Sequence, residues 1–354
     1  MRKTLQELAF YIQHLLPRDI PEAYEIAPIL RDISDEESIR KGVLAFRDFL
    51  VRFYDCLIAD GDLYDKPKKA PHLYADNTNI NTYYPFLGNI ANIFASIGHN
   101  GVPVEDGSLL MLNAAEYPSA GRNIFNLNLP DKKVIESLRF LNKCGICFDG
   151  IDLDALKPDL PSVQTLKISY LDNPLMLVGM KALETACREL NISGDEHMLL
   201  RCDYRALKKD WGEPALFLED TLKPLSNDVR KFALRIHQRF LDRKLKCTVS
   251  TMNLYIRFIY SYRGKEVIRL NVSLNNGYDI GLRAKHTHEY AAAIEKFSEW
   301  LKQKIAKGYG CGKKRGLTDS CDGGCRGIRV PLNDSILDIS SDVEAWFEQE
   351  LMML

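Results

Sequence analysis

Cys311, Cys321 and Cys325 stand with nine and three residues between them, in a stretch that also holds Gly310, Gly312, Gly316, Gly323, Gly324 and Gly327. Thiolates on glycine-rich backbone can close on a tetrahedral zinc ion, since glycine permits the sharp turns that a metal knuckle requires. Three ligands leave a fourth position to fill, and His286 or His288, at the start of the preceding helix, is a candidate for it. The pattern predicts convergence of the three sulfurs on a structural zinc, with packing cysteines or a disulfide as the alternative.

A second pair, in Cys144-Gly145-Ile146-Cys147, has redox spacing. It follows a predicted helix instead of opening one, and the negative pole of a helix C-terminus disfavours a thiolate. Small residues entering a strand is therefore the better reading. His286-Thr287-His288-Glu289 sets two histidines two positions apart, on different sides of a helix, which fits capping or a surface role. The sequence contains no phosphate-cradling Gly-x-x-x-x-Gly-Lys-Ser/Thr, dinucleotide fingerprint after a strand, Gly-x-Ser-x-Gly or His-Glu-x-x-His.

The other candidate chemistry is anion binding. The net charge of −1 conceals a segregation: residues 1–225 carry 25 Lys+Arg against 33 Asp+Glu, residues 226–330 carry 22 against 9, and residues 331–354 carry none against 6. Within the basic stretch, Arg230, Arg235 and Arg239 share the polar side of one predicted helix, while Arg257, Arg269 and Arg283 fall on predicted strands. Such a group suits an anionic small molecule or an acidic protein surface. With Tyr255, Tyr260 and Tyr262 able to stack on bases, nucleic acid is a further alternative. Against both stands neutralisation by the acidic parts of the same chain.

Elements to position these residues are readable from apolar spacing. Leu5, Leu8, Ile12, Leu15 and Leu16 mark a first helix. Ser34 and Glu37 form a capping-box pattern for a second, which keeps helical spacing from Ile39 to Leu57 and stops at Asp60-Gly61. Residues 61–83 read as a long surface loop, either a connector or a lid. Helices follow over 85–97, with Gly98 as C-cap, and over 131–143, 174–190 and 228–245. Strands are predicted over 109–112, 125–129, 163–170, 197–204, 254–262, 266–274, 278–285 and 328–332. Hairpin signals stand at Arg263-Gly264-Lys265 and Asn275-Asn276-Gly277, and a last helix opens with a capping-box pattern at Ser341 and Glu344.

The run from Ile256 to Tyr262, the hairpin at Gly264 and the segment Lys307-Gly308-Tyr309-Gly310-Cys311 resemble a group of uncharacterised proteins from Gram-positive bacteria. The resemblance extends to residues 140–154 and 172–190, and implies a bacterial cytosolic protein with no activity attached. In element order alone, the C-terminal half resembles small α+β ligand-binding domains of the GyrI-like kind. Those bind small molecules in the concavity of a sheet.

An apolar fraction of 46% in 354 residues supports a full core, and the tract-free composition is that of a globular protein. Gln6, Glu7, Gln13 and His14 interrupt any apolar signal segment, and no run reaches the roughly 18 apolar residues of a membrane span. The expectation is a cytoplasmic protein with reduced thiols. Its fold is expected to be α+β, with antiparallel sheet units covered by amphipathic helices. Arg139-Phe140-Leu141 and Arg239-Phe240-Leu241, each leading to a cysteine and strands, raise a duplicated helix–strands–helix unit. The expected domains are 1–225 and 226–354. The expected function is non-catalytic binding of an anionic small molecule or acidic protein surface. The alternatives are an enzyme with residues 61–83 as lid, or nucleic-acid binding through residues 226–330.

Overall fold

The computed structural model describes residues 3–20, 24–67, 80–113, 123–190, 195–208, 214–252, 255–273, 277–284, 286–287, 289–306, 309–310 and 326–354. The chain forms an α+β protein of two compact units: Met1–Gly212 with Met252–Leu254, and Glu213–Thr251 with Tyr255–Leu354.

In the first unit the helices are α1 (Leu5–Leu15), α2 (Glu36–Tyr64), α3 (Ile80–Tyr83) and α4 (Pro85–Asn100), followed by strands β1 (Val102–Pro103) and β2 (Leu109–Leu112). Then come α5 (Asp131–Lys143), β3 (Ile146–Asp149), β4 (Thr165–Tyr170), α6 (Leu175–Glu189) and α7 (Asp195–Arg201). The sheet is antiparallel in the order β1-β2-β4-β3. Its strands alternate, with Leu109, Met111, Ile146, Phe148, Leu166, Ile168 and Tyr170 buried.

The 29-residue α2 is the axis of this unit. Phe46, Phe49 and Phe53 all meet Phe94 of α4 at ring distances of 5.7, 6.1 and 6.2 Å. Where α2 crosses α6, Gly42 and Gly179 replace side chains with backbone: a Cβ on Gly179 would lie 2.1 Å from the Gly42 carbonyl carbon. Only glycine at both positions lets the helices come this close.

Several sequence expectations are corrected here. The cap of α2 is Asp35, whose carboxylate accepts from the Ser38 amide at 2.9 Å, not Ser34. Gly61 does not stop α2, which continues through Tyr64; its missing side chain makes room for Gln6 of α1, whose Cγ would be 2.6 Å from a Cβ there. Residues 61–64 and 80–83 are thus helical, and residues 68–79 of the expected loop lie outside the described residues. Gly98 likewise lies inside α4, against Glu184 of α6, and Gly101 is the C-cap. Residues 125–129 make a turn, with Asn126 at φ 54°, because Ser96 donates to the Phe125 carbonyl and Asn123 accepts from the Phe125 amide. Residues 197–201 belong to α7, not to a strand. Three consecutive apolar residues, Met198, Leu199 and Leu200, are buried there among helices, a pattern that periodicity cannot tell from a strand.

The second unit holds α8 (Pro214–Leu222), α9 (Asn227–Asp242), β5 (Lys246–Met252), β6 (Tyr255–Tyr262), β7 (Lys265–Ser273) and β8 (Gly277–Ala284). Next are α10 (Ala291–Ile294), α11 (Glu299–Ala306), β9 (Tyr309–Gly310), β10 (Arg326–Pro331) and α12 (Ser340–Met352). The sheet runs β5-β6-β7-β8-β10-β9, a meander through β8, and the described pairings are antiparallel. Arg263 and Gly264 both have positive φ, as a two-residue hairpin between twisted strands requires. α9 packs on the face carrying Ile256, Phe258 and Tyr260, with the Phe240 and Tyr260 rings 4.8 Å apart. The strand order differs between the units: β2-β4-β3 is interleaved, whereas β5 to β8 are sequential. The expected capping box of α12 is not formed; Glu344 pairs instead with arginines of α9.

Candidate functional site

In the first unit, the end of α2 and the first turns of α4 and α5 enclose a cleft of about 450 Å³, within the size range of small-molecule sites. Tyr64 and Phe86 stack in its wall, ring centroids 4.1 Å apart and 27° from parallel. Both rings meet Phe140 edge-on at 5.2 and 5.3 Å, which fixes their planes. Pro85, Leu129 and Pro130 extend the apolar surface.

The polar groups are few. Asn89 lines the cleft one turn into α4, is 7% exposed, and makes no side-chain hydrogen bond among the described residues. Its amide borders the cleft and offers a donor and an acceptor there. Lys66 is exposed on the rim and makes no ion pair among the described residues. Lys133 is neutralised by Glu136 at 2.7 Å. Burial, and then Asp60 and Glu136, push the Tyr64 hydroxyl pKa upward, so this ring keeps its proton.

The two helix termini add a field. α4 opens at Pro85 and α5 follows Pro130, and neither N-cap residue supplies a side-chain hydrogen bond to its first turn. First-turn residues of both helices line the cleft, so their positive poles lie near it, offset in α5 by Asp131.

The residues singled out in the sequence are distributed otherwise. Cys311, Cys321, Cys325 and His288 lie outside the described residues. His286 is described, half-buried, with Nδ1 2.7 Å from Glu289 Oε1. It borders a cavity of about 220 Å³ with Arg263, Lys265 and Glu350, where Glu350 accepts from Tyr290. Among the described residues no group of three or more His, Cys, Asp or Glu is placed to hold a metal ion. Of the groups whose convergence would mark an enzyme, His72, Asp76 and Glu116 are outside the described residues. Asp203 is buried in an ion pair with Arg205, and His99 sits 3.7 Å from Glu184.

The six arginines divide into two sets. On α9, Arg235 and Arg239 both bind Glu344 of α12, at 2.7 and 2.6 Å, and Arg243 binds Glu348. Arg230 donates to Asn227. The acidic C-terminal helix thus neutralises much of this basic face. On the sheet, register places Arg257, Asn271 and Asp279 in one row and Arg269 and Arg329 in the next, on the face opposite α9; Arg283 belongs to β8, and its side chain lies outside the described residues. Asp279 is the acid among them: Asn271 donates to it at 2.7 Å, and burial raises its pKa against the pull of Arg329, Arg269 and Arg257.

Local spacing hides this cleft, because it reads Tyr64 as part of a loop and residues 128–129 as the end of a strand, whereas Tyr64 ends α2 and residues 128–129 precede α5. Asn89 had a signal: it is the one amide in the stripe formed by Phe86, Ile90, Ile93 and Ile97. The fold and cleft define an α+β protein with a small-molecule-sized site between helix termini. In comparisons with protein-family models, with curated proteins and with solved structures, the chain matches none of them. No helix among the described residues is long and apolar enough to cross a membrane.

Proposed function

We propose that this protein binds a small anionic molecule with a planar apolar body, held in the cleft between α2, α4 and α5. The observation that carries this reading is the Tyr64–Phe86 stack, fixed in a cleft wall otherwise made of prolines and Leu129, with the Asn89 amide beside it. That amide offers a donor and an acceptor to an entering polar edge. The anionic preference rests on Lys66 and the two uncapped helix N-termini, and the planar body on the fixed Tyr64–Phe86 stack. The lining groups are suited to holding a ligand, and binding is the role assigned to them.

The test is thermal unfolding with a panel of aromatic carboxylates and sulfonates beside uncharged analogues. Ligands of the anionic class should raise Tm, by about 2.7 kcal/mol of stability at a hundredfold excess over Kd. Lys66→Ala should weaken these ligands about fivefold, ~1 kcal/mol, and leave the uncharged analogues unchanged. A panel without any shift, or equal shifts in the variant, sinks the reading.

A second reading is supported by the sheet face of the second unit, where Arg257, Arg269 and Arg329 lie near Asp279, with Arg269 also paired to Glu266. That face suits a polyanion, either nucleic acid or an acidic protein surface. Retention on single-stranded DNA that falls steeply with salt would favour it, and no retention at low salt would remove nucleic acid.

A further inference from the structure

Cysteines 88 positions apart in the chain face one another between α2 and the turn after α5. Lys143, just before Cys144, pairs its Nζ with Asp60, one turn beyond Cys56 on α2. Gly145, just after Cys144, lies against Arg52, one turn before Cys56: a Cβ there would be 3.4 Å from Arg52 Nη1. Phe140 and Phe53 meet edge-on at 5.5 Å. Contacts on both sides thus hold Cys144 against the stretch of α2 that carries Cys56, and the two side chains interact electrostatically. Neither is in a disulfide; Cys144 is 1% exposed and Cys56 half-buried. Burial, and then Cys56, push the Cys144 thiol upward, so the inner sulfur keeps its proton while the outer one meets solvent. Arg52 and Lys143, although paired with Asp172 and Asp60, also interact electrostatically with Cys56.

We propose that Cys56 and Cys144 are a modification site: a hydroperoxide oxidises the pair to an intramolecular disulfide. The Cys56 sulfur attacks the outer oxygen of the peroxide, the O–O bond breaks, and water or alcohol leaves with the thiol proton, giving a sulfenic acid. Cys144 then attacks that sulfur. The S–O bond breaks and hydroxide leaves as water with the Cys144 proton, so two thiols and one hydrogen peroxide give one disulfide and two waters. The partner of Cys144 is therefore a residue remote in sequence, not Cys147 of the same redox-spaced motif.

Full-length protein, reduced and freed of reductant, is treated with one equivalent of hydrogen peroxide, alkylated with N-ethylmaleimide, digested and analysed by mass spectrometry. The expected product joins the peptides of Cys56 and Cys144, about 2 Da below their summed mass, and dithiothreitol reverses it. Cys147→Ser should form the same link. Cys144→Ser should stop at a Cys56 sulfenic acid trapped by dimedone. The wild-type map decides the matter even if a variant fails to fold. Cys56 and Cys144 both alkylated after oxidation would overturn the proposal, as would a Cys144–Cys147 link or Cys56 sulfinic acid beside a free Cys144.

Discussion

Asn89 sits beside Phe86, Ile90 and Ile93 on the packed side of α4, where an apolar residue would cost nothing. Asn89→Leu removes the amide that borders the cleft. It is expected to leave stability unchanged or raise it by up to about 1 kcal/mol, while ligand affinity falls at least about tenfold. Denaturation midpoints and titration measure the two effects separately, and a large loss of stability would show that Asn89 is structural. His237 is a second buried polar residue with a consequence. Its Nδ1 is 2.8 Å from the Tyr260 hydroxyl, and Nε2 is buried with no partner among the described residues. Burial lowers its pKa below the ordinary value of 6.5, so the unfolded chain takes up this proton first as pH falls. Its stabilising effect is complete above about 6.5 and is lost as pH drops through the folded-state value. Urea midpoints at pH 5.5 and 7.5 should therefore differ, and His237→Gln should reduce the difference. The Cys311, Cys321 and Cys325 proposal is read at this scale too: protein purified without added metal should carry about one equivalent of zinc, and Cys321→Ser should lose it.

Between elements, the closest approach is the crossing of α2 and α6 at Gly42 and Gly179. Gly179→Ala would put a methyl group inside the Gly42 backbone, and neither helix has a flexible side chain there to yield. A loss of more than about 2 kcal/mol is expected by denaturant titration; a neutral result would mean that the helices can separate. α9 and α12 illustrate a weaker link. Glu344 is shared by two arginines, but both are well exposed, so solvent discounts the pairing. Glu344→Ala should cost about 1 kcal/mol or less, and the cost should shrink at high salt. Both elements were visible in sequence as amphipathic helices. Their partners were not, since a helical stripe specifies that a face is buried and leaves open what covers it.

At the scale of the whole molecule, the segregated charge found in the sequence is offset in part within the second unit. The acidic segment 331–354 includes α12, and Glu344 and Glu348 return to the arginines of α9. What the amino-acid sequence determined by itself was local: the helix over 131–143, the helix expected over 228–245 though it ends at Asp242, the strands on either side of Arg263-Gly264, and hence an α+β architecture with antiparallel sheets. Alternation and helical spacing are properties of neighbouring residues, so they survive without knowledge of the fold. Tertiary structure alone decided what Gly61 and Gly98 do, since a glycine that ends a helix and one that admits a neighbouring side chain look the same in one dimension. It also decided that the interleaved sheet of the first unit differs from the meander of the second. It placed Tyr64, Phe86, Asn89 and Pro130 around one cleft, and it brought Cys144 beside the stretch of α2 that carries Cys56. Sites of this kind join positions tens of residues apart, and the distance between such positions is fixed by packing, which no local spacing encodes.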